Sequence, residues 1–413
     1  MIARHDGRIV FVSGAVPGER VRARVERVTK QAIWAEAVEI AEASPDRRQT
    51  SVDPACGGLT YAHIAYARQL AIKADIIEDA FRRLGRITIG RVVTVMASPE
   101  AGYRLRARLH VHEGRAGFFR EGSHTWCDGA ATAQLLPETL PAVDAQIAAL
   151  GKIAGELEAV TVAENVAASE RVLHLEVKQG SNVTVRDGQI ALVPGVTGVT
   201  ADGGGHRPLP LAGSATVTDA ARDLFAGDSP VSLLAAWTRH APAFFQGNRY
   251  LTGALVRRVL EWVSADAVID LYAGVGLFSV ALAARGARVM AIEGDRLAAA
   301  DLSSNAKAWR ARLNAICAPV ESAASSARRA GTTFGACIVD PPRSGLSPEA
   351  LAQVLSLRTP ELIYVSCDPA TLARDAAKLI ADGYAIDGIE ALDLFPNTPH
   401  VETVVRFVRG VRS

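Results

Sequence analysis

Residues 266–295 read DAVIDLYAGVGLFSVALAARGARVMAIEGD. An apolar run ends at a turn holding Gly274 and Gly276, an apolar helical pattern follows, and a second apolar run ends at Glu293. Strand, glycine turn, helix and strand in that order predict a parallel βαβ unit. Two further apolar runs close in polar loops, in GACIVDPPRSG (335–345) and LIYVSCDPATLARD (362–375). The expected fold is therefore α/β, with a parallel sheet covered by helices over residues 236–413. Ligands of such sheets bind at the carboxyl ends of the strands.

The glycine turn points to a nucleoside. Gly274 and Gly276 let backbone approach a ligand at a helix N-terminus. Glu293, about 20 residues on, is placed to hold ribose hydroxyls. The G-x-G-x-x-G fingerprint is incomplete, because position 279 is Ser. That disfavours a dinucleotide and leaves a smaller cofactor such as S-adenosylmethionine, which carries no phosphate. Asp270 and Asp340 also fall at strand ends, where a helix cap or turn is the plain alternative.

Upstream the rhythm differs. Residues 1–46 alternate apolar and polar in GRIVFVSG, ERVRARVERV and QAIWAEAVEIA, which predicts a small β-barrel. Arg20, Arg22 and Arg24 share one side of a strand. Residues 47–235 read as a mixed α+β domain. It begins with an amphipathic helix, YARQLAIKADIIEDAFRRLG, ending at Gly85. In YRLRARLHVH (103–112), Arg104, Arg106 and Arg108 fall on one strand face, and GRAGFFREG is the expected hairpin partner. Arginines beside Phe118 and Phe119 suit phosphate contact and base stacking, as against an ordinary solvated face. Residues 157–193 read as further strands.

Bulk properties limit the function classes. The chain has 413 residues, 49% apolar composition and a formal net charge of +1. A nucleic-acid partner must then show as local patches. Five scattered cysteines, an odd number, fit a reducing compartment and argue against a disulfide framework. No signal peptide or membrane span is expected, so a cytoplasmic protein is the expectation.

The chemistry concentrates near the C-terminus. Cys367 sits at the mouth of a strand, among Ser366, Asp368 and Pro369. In DLFPNTPHVETVVRF (393–407), Glu402 interrupts an apolar strand, and such surroundings raise a carboxyl pKa. Two prolines stiffen DPPRSG, and Arg343 beside them suits a phosphate or carboxylate. A thiolate and a base beside a methyl donor suit one problem well. C5 of uracil is too weak a nucleophile until a thiolate adds to C6.

The ordered series FFQGN, DLYAGVG, EGD, DPPRSG, SCDPATLARD and FPNTPHVETV resembles the RNA (uracil-5-)-methyltransferases. The first 46 residues resemble a TRAM domain, an OB-like RNA-binding module. The resemblance extends over nearly the whole chain and is looser between about 150 and 235. It implies a Rossmann-like class I methyltransferase domain, with Cys367 as nucleophile and Glu402 as base. It also implies S-adenosylmethionine contacts from Gln246, Tyr272, Gly274, Gly276, Leu277, Glu293 and Asp340. Leu277 stands where many members have a polar contact, so only its backbone is available. RNA is the implied partner, ribosomal rather than transfer RNA by the TRAM-like module, and the expected state is a monomer.

One departure concerns metal. Many relatives bind a [4Fe–4S] cluster through four cysteines, including a C-G-G-C pair. Here the pair reads Cys56-Gly57-Gly58-Leu59, Cys127 resembles a later ligand, and TSVDPA (50–55) has no Cys. Two thiolates cannot fill a four-cysteine site, so no cluster and no metal is expected. The competing readings are a transfer-RNA uracil methyltransferase, an amino-group or cytosine-C5 methyltransferase, and an RNA-binding factor that has lost catalysis. Amino-group enzymes favour an aromatic where Arg343 stands. Cytosine-C5 enzymes carry Cys in the DPPRSG motif.

Overall fold

The computed structural model describes residues 1–180, 190–329 and 331–410. Its largest sheet has eight strands. In spatial order they are Leu313–Cys317, Arg288–Glu293, Ala267–Leu271, Ala336–Val339, Glu361–Ser366, Glu402–Arg409, Tyr384–Leu392 and Val95–Met96. The first five run parallel, and Glu402–Arg409 runs antiparallel to both its neighbours. Chain order reverses at Ala267–Leu271, so a crevice opens at the carboxyl ends there.

The sheet is covered on both faces, which explains its unbroken apolar strands. Helices Thr252–Trp262, Leu277–Arg285 and Arg296–Asn305 pack one face around Val268, Ala291, Ile338 and Val365. Helices Tyr66–Ala80, Pro348–Leu357 and Pro369–Ala381 pack the other around Ile269, Ile292, Val339 and Tyr364.

This second core extends across the boundary expected at residue 236. Ile77, Ala80, Phe81 and Val93 belong to it, and Val95–Met96 is a strand of the same sheet. The amphipathic helix expected to end at Gly85 does so, through a π-helical last turn at Phe81–Gly85. Ile77, Ala80 and Phe81 of its apolar face join the core that holds helix Pro369–Ala381, and Ile72 packs with Ile64 and Val16. A periodicity names the buried face of a helix but not the surface that covers it.

A buried polar network ties this helix to the loop before Glu402. Lys73 pairs with Asp393, both side chains fully buried, and donates to the Phe395 carbonyl. Burial pulls the Lys73 pKa down and pushes that of Asp393 up, against their mutual attraction. Tyr66 donates to Asp393, and Gln69 exchanges hydrogen bonds with Asn397. Asn248 of FFQGN donates to the Leu394 carbonyl. Removing one partner of such a pair leaves a buried charge uncompensated. Lys73→Met is expected to cost about 3–5 kcal/mol of unfolding free energy. Urea titration checks this, and an unchanged midpoint would remove the pair from the stability argument.

The rest of residues 98–213 centres on a seven-stranded sheet running from Leu209–Gly213 to Trp126–Asp128, backed by helix Thr139–Ala149. The expected hairpin is Arg106–His112 with Arg115–Phe119. Of the strands expected over 157–193, Leu157–Glu164 and Arg171–Val177 form, and residues 181–189 lie outside the described residues. At the N-terminus, Ile2–His5, Arg8–Ser13, Ala32–Glu42 and Arg20–Val28 make a four-stranded sheet in that spatial order.

The cysteine expectation is corrected as well. Cys56 and Cys127 are joined in a disulfide across 71 residues, with Cα atoms 6.0 Å apart. An odd count leaves at least one thiol over, here Cys317, Cys337 and Cys367, but does not prevent a single pair, and only the fold brings Cys56 and Cys127 together.

Candidate active site

The loops after the five parallel strands at the carboxyl edge of the large sheet, with the FFQGN segment, enclose a cleft of about 910 Å³. Gln246, Tyr272, Gly274, Leu277, Glu293, Asp340, Arg343, Cys367 and Glu402 all line it. Segments more than 150 residues apart in sequence thus meet at one place.

The glycine loop leaves strand Ala267–Leu271 through Tyr272, whose φ of 59° is unusual for a bulky residue. Gly274 (φ 56°) opens onto free space where a Cβ would project, so backbone is exposed to a ligand there. Its N–H donates to Glu293 Oε2 at 2.7 Å, and Asp295 N–H donates to Oε1 at 2.7 Å. Gly276 (φ 95°) is not a lining residue; it caps helix Leu277–Arg285, and a Cβ there would meet Leu302 at 2.7 Å. Trp237 Nε1 donates to the Gly276 and Leu277 carbonyls, and Asn305 Nδ2 to that of Val275. Trp237 and Asn305 position the loop, and the sequence carried no local sign of either. Asp270 does not line the cleft. It is fully buried and accepts from Ser279 Oγ, which ties strand to helix.

The chemical side is built on Cys367. Strand Glu361–Ser366 ends one residue earlier, and Asp368 caps helix Pro369–Ala381 by accepting from Thr371 N–H at 2.8 Å. The strand-to-helix turn holds the thiol half-exposed at the cleft wall. The helix also anchors the facing DPPRSG loop. Arg374 donates to the Ser344 and Leu346 carbonyls, and Thr371 to that of Arg343.

Four acidic groups interact here, and burial dominates them. Asp340, with Gln246 Nε2 donating to it at 3.2 Å, is pushed up to about 7 by burial and then by Asp270. Glu402 opens strand Glu402–Arg409, is 2% exposed, and is held well above the usual carboxyl range by burial and then by Asp340. Arg374 and Arg406 are engaged elsewhere: Arg374 pairs with Asp375, and Arg406 with Glu361 and Asp387. Burial, helped by Glu402 and Asp340, raises the Cys367 thiol to about 11, and Arg343 opposes the rise. Burial in the cleft at rest therefore disfavours the charged forms of both the Cys367 thiol and Glu402.

The residues present fit S-adenosylmethionine. A backbone cradle at Gly274, Glu293 at the end of the second strand, and an acidic wall facing a cationic ligand are the features such a molecule requires. They do not fit a four-thiolate cluster, since Cys56 and Cys127 bond to each other and Leu59 is buried. Among the described residues no group of three or more His, Cys, Asp or Glu is placed to hold a metal ion.

The three strand arginines lie outside this cleft. Arg104 donates to Gln134, Arg106 to the Ala241 and Pro242 carbonyls, and Arg108 pairs with Glu158 and Glu176. Arg20, Arg22 and Arg24 pair with Glu42, Glu39 and Glu36.

Comparison with known proteins agrees with this geometry. Residues 1–38 match the TRAM domain, and residues 325–409 match the family described as tRNA (Uracil-5-)-methyltransferase. A Pseudomonas putida protein named 23S rRNA (uracil(1939)-C(5))-methyltransferase RlmD is 30% identical, over 99% of this chain and 91% of its own length. A Bordetella bronchiseptica protein of the same name is 31% identical, over 98% and 90%. The crystal structure of Pyrococcus abyssi tRNA (uracil-54, C5)-methyltransferase with S-adenosyl-L-homocysteine superposes with a TM-score of 0.74. It is 26% identical, over 97% of this chain and 95% of that one. With the thiol, the buried carboxyl and the glycine cradle on one wall, and relatives matched almost end to end, this chain belongs to the RNA (uracil-C5)-methyltransferase family.

Proposed function

We propose that this protein methylates C5 of a uridine in 23S rRNA through a covalent bond between Cys367 and C6 of the ring. The observation that carries the reading is the convergence of Cys367 and Glu402 on one cleft with Glu293 and Asp340. Gln246, Tyr272, Gly274, Glu293 and Asp340 would hold S-adenosylmethionine, with Gly276 and Leu277 shaping its loop. When bound, that molecule supplies an electrophilic methyl group on a positively charged sulfur.

The chain's own residues do the rest. The Cys367 thiolate adds to C6, and the C5=C6 pair moves onto C5, which becomes the carbon that is methylated. Glu402 then takes the C5 proton. The electrons left behind re-form C5=C6, the S–C6 bond breaks, and the thiolate is regenerated. Burial suits Glu402 to this step, because a carboxyl of raised pKa makes a stronger base once ionised.

Ribosomal RNA is inferred from the names of the relatives at 30–31% identity. Transfer RNA is the second reading, favoured by the Pyrococcus structure. We read residues 1–46 as an OB-like barrel and residues 236–413, joined by helix Tyr66–Ala80 and strand Val95–Met96, as a Rossmann-like catalytic domain, in a cytoplasmic monomer. Mass analysis of 5-methyluridine in 23S rRNA and in tRNA from a deletion strain decides between the substrates. Unchanged 5-methyluridine in both would overturn the proposal.

Arg343 has a separate expected effect. It opposes the rise in the Cys367 pKa, so Arg343→Gln should move that pKa further up. Below its pKa a thiol's thiolate fraction falls about tenfold per pH unit. At pH 8 the variant should therefore alkylate more slowly, and its pH profile should shift to higher pH. Iodoacetamide kinetics in a Cys317→Ser background, which removes the exposed thiol, give the measurement. An unshifted profile would take Arg343 out of the ionisation.

A further inference from the structure

Far from the cleft in sequence, the outer face of the hairpin Arg106–His112 and Arg115–Phe119, with strand Trp126–Asp128, carries a row of rings. His110 lies flat on Phe119, with centroids 3.5 Å apart and planes 10° apart. His124 meets Phe119 edge-on at 5.5 Å, and His112 faces Trp126 at 5.7 Å. Arg115 sits over Trp126. Gly117 makes the row possible, because a Cβ there would lie 2.5 Å from the Trp126 ring. Trp126 Nε1 donates to the His110 carbonyl, which fixes that ring across the strands.

Alternation has sorted the two faces of this hairpin. Leu109, Ala116 and Phe118 point into the core, whereas the outer face shows rings and cations and no aliphatic side chain. The arginines at its edge are already matched, Arg115 by Asp128 and Arg120 by Asp53. The face therefore offers flat π surfaces rather than net charge. An aliphatic protein surface would meet rings but no aliphatic side chain to interdigitate with, and a phosphate would find few unpaired cations. Unpaired nucleobases match flat rings, because every base has a π face.

We propose that this row is a stacking platform for unpaired bases of the RNA substrate, outside the catalytic cleft. The inference rests on the methyltransferase reading for the identity of the substrate, but its test does not depend on catalysis. Phe119→Leu keeps apolar bulk and loses the plane, Phe119→Tyr keeps the plane, and His112→Ala removes a second ring. Binding of a single-stranded oligouridylate should weaken about tenfold or more in Phe119→Leu with His112→Ala, and stay near wild type in Phe119→Tyr. The loss should be the same factor at every salt concentration, since stacking releases no counterions. On transcribed 23S rRNA the KM should rise with kcat unchanged, and S-adenosyl-L-homocysteine binding should report an intact fold.

If the double variant fails to fold, the wild-type protein answers the question. Oligouridylate should quench Trp126 fluorescence, identified as the part lost in Trp126→Phe. Wild-type RNA affinity in a folded double variant, or no Trp126 quenching at saturating RNA, would overturn the platform. A wild-type enzyme that binds through the platform yet never methylates RNA would instead overturn the methyltransferase reading and leave the platform standing.

Discussion

Glu402→Gln is expected to stall with RNA covalently attached. If Glu402 removes the C5 proton, its loss acts after the thiolate has added and the methyl group has moved. Elimination of Cys367 then waits for a proton that no side chain accepts. Losing a general base typically costs about 10²–10⁴-fold in rate, so slow turnover through water should remain. The fold should tolerate the change. Burial holds the Glu402 carboxyl pKa well above the usual range, and an uncharged amide of the same shape replaces it. A purely structural ion-pair role is disfavoured because Arg374 and Arg406 are engaged elsewhere. A denaturing gel with unmodified RNA and S-adenosylmethionine should show a slow-migrating adduct. Folded variant that turns over normally, or that never forms an adduct, would defeat the assignment.

Cys367→Ala should remove methyl transfer altogether, a loss of about 10⁴-fold or more, as for other covalent nucleophiles. The thiol serves the base and not the methyl donor, so affinity for S-adenosyl-L-homocysteine should stay near that of the wild type, by calorimetry. No adduct should form, and the double variant with Glu402→Gln should also form none. RNA carrying 5-fluorouridine should trap the wild-type enzyme, since no C5 proton is available for removal, and should leave Cys367→Ala free. Near-normal turnover by Cys367→Ala would show that some other group attacks C6. Cys337 is a poor substitute, being fully buried, and Cys317 does not line the cleft.

The two experiments separate two parts of one site. An adduct in Glu402→Gln that disappears with Cys367→Ala identifies the bonded atom and the order of events together. The pH profile adds a third view. Cys367 is held at about 11 in the free protein, so its ionisation is a demand the complex has to meet. Arg343 at the rim is the cation of this chain that helps.

Local physics accounts for what could be read from the chain alone. Strand, glycine turn and helix at 266–285 are written in periodicity and in backbone freedom, and both act over a few residues. Cys367 and Glu402 stood out because each is costly where it sits, a thiol in a polar turn and a carboxyl among valines. The alternation in YRLRARLHV predicted which side of that strand is buried, and Leu105, Ala107 and Leu109 are. Other features depend on elements far apart in sequence. Lys73 lies in an amphipathic helix, and its partner Asp393 is 320 positions away. Cys56 and Cys127 carried no sign of pairing. The strand arginines looked free, and proved to be tied to Gln134, Ala241 and Glu176. The sequence by itself determined the βαβ pattern and singled out the candidate reactive groups, because these follow from side-chain period and from the cost of a misplaced polar atom. Only the tertiary structure decided which groups share a cleft, which charges are already matched and which carboxyl burial pushes up in pKa, because those are properties of distance and solvent exclusion.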